Sequence, residues 1–202
     1  MATCKIAVLL ILAILIGAYA CNGNHKQTGN KHNGPKIRET TLNKNPYPGL
    51  RTQAINVTAE QLKLKLQNDN ELYGIIMDWN MGDFILTVVS FKTGDASLYL
   101  STGQAYIGGH SRETVHNAAI NFISIGKQYL AKAIRTEKIE PAEGEKIDFY
   151  FLTRSGRYYV EDEFSRIEDS SSELLGLFKA GDRVITEYRL IDEANRKHNG
   201  SN

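Results

Sequence analysis

Apolar residues fall into three regimes of spacing along this chain. They run unbroken over residues 6–16 (IAVLLILAILI), almost vanish between Asn22 and Pro48, and beyond Gly49 alternate or recur every three to four positions. The periodic part predicts a succession of short elements. Thr58-Ala59-Glu60-Gln61 has the form of a capping box ahead of LKLKL, so a short helix is expected there, although the same alternation also fits a strand. Residues 73–79, 84–91 and 96–101 are expected strands, separated by Asn80-Met81-Gly82-Asp83 and Lys92-Thr93-Gly94-Asp95. These turns predict an antiparallel meander, with 105–108 as a brief fourth strand. Val115, Ala119, Phe122, Gly126, Leu130 and Ala133 predict a long helix over 112–134. Residues 149–153 and 157–161 form an expected hairpin. The stretch after Ser171 predicts two short helices on either side of Gly181, with a final strand at 183–190 as the alternative.

The order of these elements implies an α+β domain of two layers, an antiparallel sheet of meander plus hairpin covered by a long helix, with short helices at both ends. In element order it resembles the profilin, roadblock and longin type of sheet. The stretches YGIIMDWNMGDFILTVVSFKTGDASLYLSTGQAYIGG and LGLFKAGDRVITEYRL, with the lead-in at residues 45–51, also resemble a set of small bacterial proteins without an established activity. That resemblance carries no catalytic residue over to this chain.

The apolar run at the amino terminus follows Lys5 and is shorter than the roughly 20 residues a helix needs to cross a bilayer core. It ends in Gly17-Ala18-Tyr19-Ala20-Cys21-Asn22, where Ala18 and Ala20 make an A-x-A cleavage pattern. An apolar segment running into small residues and then Cys resembles the lipobox of bacterial lipoproteins. The resemblance implies cleavage before Cys21 and acylation of its thiol; an ordinary signal peptidase would cut the same bond. Cys4 lies in the segment that would be removed, which leaves Cys21 without an intramolecular partner. The expected organisation is a signal peptide at 1–20, a lipid-anchored flexible tether at 21–48, one domain at 49–193 and a disordered tail at 194–202. The expected location is the bacterial cell envelope, with Asn after the Cys pointing to the outer membrane and a domain facing the periplasm.

Charge is segregated, although the whole chain carries only +1. Residues 22–51 hold six basic side chains and one acidic, whereas 58–192 hold fifteen basic and twenty-one acidic, a net of −6. A basic tether suits anionic headgroups and an acidic body does not suit nucleic acid. Glu161, Asp162, Glu163, Glu168 and Asp169 form the candidate surface for a protein partner, an envelope protein or a secreted toxin, set against the reading of a solvated face.

Among chemistry-bearing residues, Gly108-Gly109-His110-Ser111 before the long helix is the most suggestive. Such a turn can hold an anion with Ser111 as cap and His110 as donor, and it equally makes a plain strand-to-helix turn. His116 is expected to face away from His110, about 120° around the helix. Asp78 is a candidate ligand or acid/base residue, with backbone capping at a strand end as the plainer reading. His25 and His32 belong to the solvated tether. No catalytic constellation, metal site or cofactor motif is recognised. Two rivals to a binding domain stay open: an immunity-type protein that neutralises a secreted toxin, and a hydrolase using His110, Ser111 and Asp78.

Overall fold

A computed structural model describes residues 45–199; the signal segment, Cys21, most of the tether with its histidines, and the last three residues lie outside the described part. In chain order the elements are α1 (Tyr47–Ile55), β1 (Gly74–Asn80), β2 (Ile85–Phe91), β3 (Ala96–Leu100), β4 (Ala105–Ile107), a 3-10 turn (Gly109–Ser111) and α2 (Glu113–Gly126). A second 3-10 turn (Leu130–Lys132), β5 (Ile134–Arg135), β6 (Lys146–Thr153), β7 (Gly156–Glu163), α3 (Phe164–Glu168) and α4 (Leu175–Asn199) complete it. The strands form one antiparallel sheet in the order β4-β3-β2-β1-β6-β7-β5. The architecture is the expected α+β sheet covered by helices.

Side chains alternate across the pleat, so each strand feeds both faces. Ile75, Met77 and Trp79 of β1, with Phe149 and Phe151 of β6, face α2 and α4, which also pack on each other. Phe122 of α2 meets Phe149 edge-on at 6.5 Å between centroids, and Trp79 packs at a tilt against Phe164 at 4.7 Å and edge-on against Phe178 at 5.1 Å. The other face carries Ile76, Val89, Tyr99, Tyr150 and Leu152, which pack under α1 and the loop after it. Because both faces are covered, β1 is buried along most of its length, which explains why YGIIMDW lacks the clean alternation of a one-sided strand.

Four sequence expectations are corrected. The capping box at Thr58 forms, with Thr58 N–H donating to Gln61 Oε1 at 2.8 Å and Gln61 N–H to Thr58 Oγ1 at 3.2 Å. The helix nevertheless closes after one turn: Lys63 takes φ 56° and Leu64 N–H donates to Ala59 C=O at 2.9 Å, a Schellman closure that frees the leucines to pack under the sheet. The long helix ends at Gly126 rather than near 134. Its next residues tighten through i→i+3 bonds, and Ile134–Arg135 leaves to pair with Tyr158 and Tyr159 as the far edge strand. The segment around Gly181 is one continuous helix of 25 residues, not two helices or a strand, and it extends through the expected disordered tail as far as Asn199. A Cβ at Gly181 would lie 2.7 Å from Met77 Sδ and 3.2 Å from Phe122, so this glycine permits close helix–sheet approach and does not break the helix. Finally, the domain begins before Gly49. Asn45 accepts from Tyr47 N–H at 2.9 Å and donates to Ser101 C=O at 2.6 Å, which ties the entry of α1 to the end of β3.

Candidate functional site

Asp78 lies at the middle of a polar chain under α1 and is fully buried. Arg51, on the inward face of α1, forks onto it: Nε lies 3.2 and 3.0 Å from the two carboxylate oxygens and Nη2 lies 2.5 Å from Oδ2. Tyr47 donates to Thr87 Oγ1 at 3.0 Å, and Thr87 donates to Asp78 Oδ1 at 2.5 Å. Arg51 also reaches the Ile139 carbonyl and lies 5.5 Å from the centroid of the Tyr150 ring. Asp78 therefore does not cap a strand end, since β1 continues to Asn80 and it is Asn80 that accepts from Gly82 N–H in the turn, and its carboxylate is engaged by Arg51 and Thr87. Arg51, counted above with the basic tether, belongs to the core.

The register places Asp148 directly beside Asp78. Lys138 donates to Asp148 Oδ2 at 3.1 Å and to Tyr159 at 2.8 Å, and Tyr159 donates to Glu161 at 2.5 Å. Asp148 Oδ1 is buried without a hydrogen-bond partner. Burial raises the Asp148 carboxyl above the ordinary range, with Asp78 adding to the rise and Lys138 opposing it. Burial likewise pushes the Tyr47 hydroxyl up to about 12 and raises Tyr150 and Tyr159, so all three are neutral donors near pH 7. The network commits its charges to one another and locks α1 and the 138–140 loop onto the sheet.

A different site lies at the β4 edge of the sheet and on its other face. A cleft of about 380 Å³ runs between β4 and the carboxyl half of α4, lined by Tyr106, Ile107, Gly108, Gly109, Ser111 and Arg112 on one side and Tyr188, Ile191, Asp192 and Asn195 on the other. Gly108 takes φ 84°, which a left-handed turn requires, and Gly109 has no room for a Cβ because the Tyr188 hydroxyl and Val115 close on it. Tyr188 donates to Ala96 C=O at 2.7 Å, where β4 has ended and no longer supplies a ladder partner. Ser111 does not cap α2; its hydroxyl donates back to Gly108 C=O at 3.3 Å and closes the turn.

Of the residues singled out in the sequence, Gly108, Gly109 and Ser111 thus line one cleft. His110 is exposed beside it, with Nδ1 3.8 Å from Asp95 Oδ1. The expectation for His116 is overturned: its ring lies 5.3 Å from that of His110. The two residues do not share one helix: His110 sits in the 3-10 turn, and Arg112 is extended before α2 begins. Among the described residues no group of three or more His, Cys, Asp or Glu is placed to hold a metal ion. Asp78 points to the opposite face of the sheet from the cleft, so the hydrolase trio is not assembled.

The acidic stretch is also divided. On β7 the pleat sends Glu161 and Glu163 to one face, where Lys146 lies 3.1 and 3.8 Å away. It sends Asp162 to the other, where Arg166 and Ser172 bind it at 3.0 and 2.6 Å. Asp169 accepts from Ser171 N–H at 2.9 Å. These carboxylates do not form one continuous acidic patch.

Sequence reasoning missed Arg51, Arg112, Tyr106 and Tyr188. The two tyrosines had a signal, each being the aromatic at the inward position of its element; the arginines had none. Comparison with protein-family models, with curated proteins and with solved structures finds no match to this chain.

Proposed function

We propose that this chain is a lipid-anchored envelope protein that presents an α+β binding domain, and that its ligand sits in the cleft between β4 and α4. The observation that carries the reading is the cleft itself: a preformed concavity at a sheet edge, with aromatic floor, glycine-shaped end and the Arg112 guanidinium at its rim. Arg112 makes no hydrogen bond or ion pair through its side chain with the described residues, while Asp192 across the cleft is already paired with Arg196 at 2.8 Å. The anchor comes from the Ala20–Cys21 junction, and the basic tether gives the domain reach from an anionic surface. The buried Asp78 network supports a binding role over the hydrolase, because its charges are spent inside the fold. The split acidic stretch lends the immunity reading no patch of its own.

The test places a photo-crosslinking residue at Asn195, which lines the cleft from α4, or at Ile120, exposed on α2, in the full chain expressed in its host. An adduct at 195 and none at 120 is expected; equal labelling, or none at 195, refutes the cleft as the binding site. Metabolic labelling with a tritiated fatty acid checks the anchor, and label retained by Cys21→Ser overturns it.

A further inference from the structure

Among the described residues β4 is the outermost strand on its side of the sheet, and its edge, unpaired by any of them, borders the cleft. The register identifies which backbone groups are free. Leu100 N–H donates to Gln104 C=O at 2.9 Å, so Leu100 and Gln104 form a hydrogen-bonded pair, and antiparallel alternation makes Leu98 and Tyr106 the next one. On its other side β3 turns Ser101 N–H to Ile85 C=O at 2.9 Å, in agreement with this phase. The N–H and C=O groups of Ala105 and Ile107 therefore point away from β3. Most exposed edges are blunted by a Lys, a Pro or a bulge. This one carries none of these: Ile107 is 64% exposed, and the strand runs straight into the glycine turn.

We propose that the cleft takes an extended, acidic peptide segment of a partner protein, which adds to β4 as a further strand. This rests on the reading of the cleft as the binding site and names its occupant. Strand addition draws affinity from main-chain hydrogen bonds and specificity from alternate side chains entering a neighbouring pocket. Here Ala105 and Ile107 offer the hydrogen bonds, and the space over Tyr188 and Ile191 receives one apolar side chain of the segment. Arg112 selects a carboxylate, because it is the cleft's uncompensated charge once Asp192 is paired with Arg196. A side chain two positions further along the segment projects to the same face, which predicts an apolar residue and an acidic one at alternate positions.

The experiment pans a random heptapeptide display library against the full-length chain in detergent micelles, and against Ile107→Pro and Arg112→Glu. Proline at 107 deletes an outward N–H and leaves the Leu98–Tyr106 ladder pair intact. Thermal melts verify that the variants fold, and Ala105→Pro replaces Ile107→Pro if that variant does not. The expected result is enrichment of β-branched peptides with Asp or Glu, a loss of at least tenfold on the proline variant, and a switch to Lys or Arg on Arg112→Glu. Enrichment indifferent to the proline, or to the charge reversal, overturns strand addition with an acidic segment. If no peptide enriches while the Asn195 crosslinker still captures an adduct, the cleft binds another class of ligand and this inference alone fails. If neither yields a product, the cleft reading fails with it.

Discussion

Replacing Arg51 with Met removes the only cation among the described residues that touches the buried Asp78 and keeps most of the side-chain volume. The carboxylate would retain one donor, the Thr87 hydroxyl at 2.5 Å, and would face Asp148 across the β1–β6 ladder, whose own cation, Lys138, lies 3.1 Å from Asp148. Breaking a buried pair in this way leaves an uncompensated charge and costs about 3–5 kcal/mol. In a domain of this size each kcal/mol moves the melting temperature by about 2–4 °C, so a drop on the order of 10 °C is expected. Asp78→Asn in the same background removes the stranded charge. The double variant should recover more than half the loss, with a coupling energy of about 2–3 kcal/mol. Urea titration of the four proteins at pH 7, with the slope checked for constancy, measures the cycle. A loss below about 1 kcal/mol for Arg51→Met, or strict additivity in the cycle, would refute the argument that this pair is buried and mutually dependent.

Two further outcomes follow from the same geometry. Asp148 has a raised folded pKa, so its contribution to stability is fully present below its unfolded value of about 3.9 and is lost as the pH rises through the folded value. Asp148→Asn should therefore match the native protein near pH 3.5 and be the more stable of the two at pH 7, as read by urea midpoints; the reverse order would show that Lys138 dominates. Gly181→Ala should destabilise the domain by about 1–2 kcal/mol despite better helix propensity, because the new methyl meets Met77 and Phe122 in a packed core, and a rise in melting temperature would contradict that packing.

The sequence by itself determined the class of the fold and most of the sheet. The meander, hairpin and start of α2 follow from local turn chemistry and period, which act over a few residues and are legible wherever they occur. The Gly108-Gly109 turn was legible for the same reason, as was the capping box at Thr58. Only the tertiary structure decided where elements end and which polar groups meet. Lys63 closes its helix after one turn so that the leucines can pack under the sheet; Gly181 leaves α4 unbroken because Met77 and Phe122 occupy the space a side chain would need. The partnership of Arg51 with Asp78, separated by 27 positions, and the cleft formed by β4 with α4 arise from pairings between distant segments. No local pattern encodes such pairings: their free energy comes from burying and matching groups that are neighbours only after the sheet and helices have assembled.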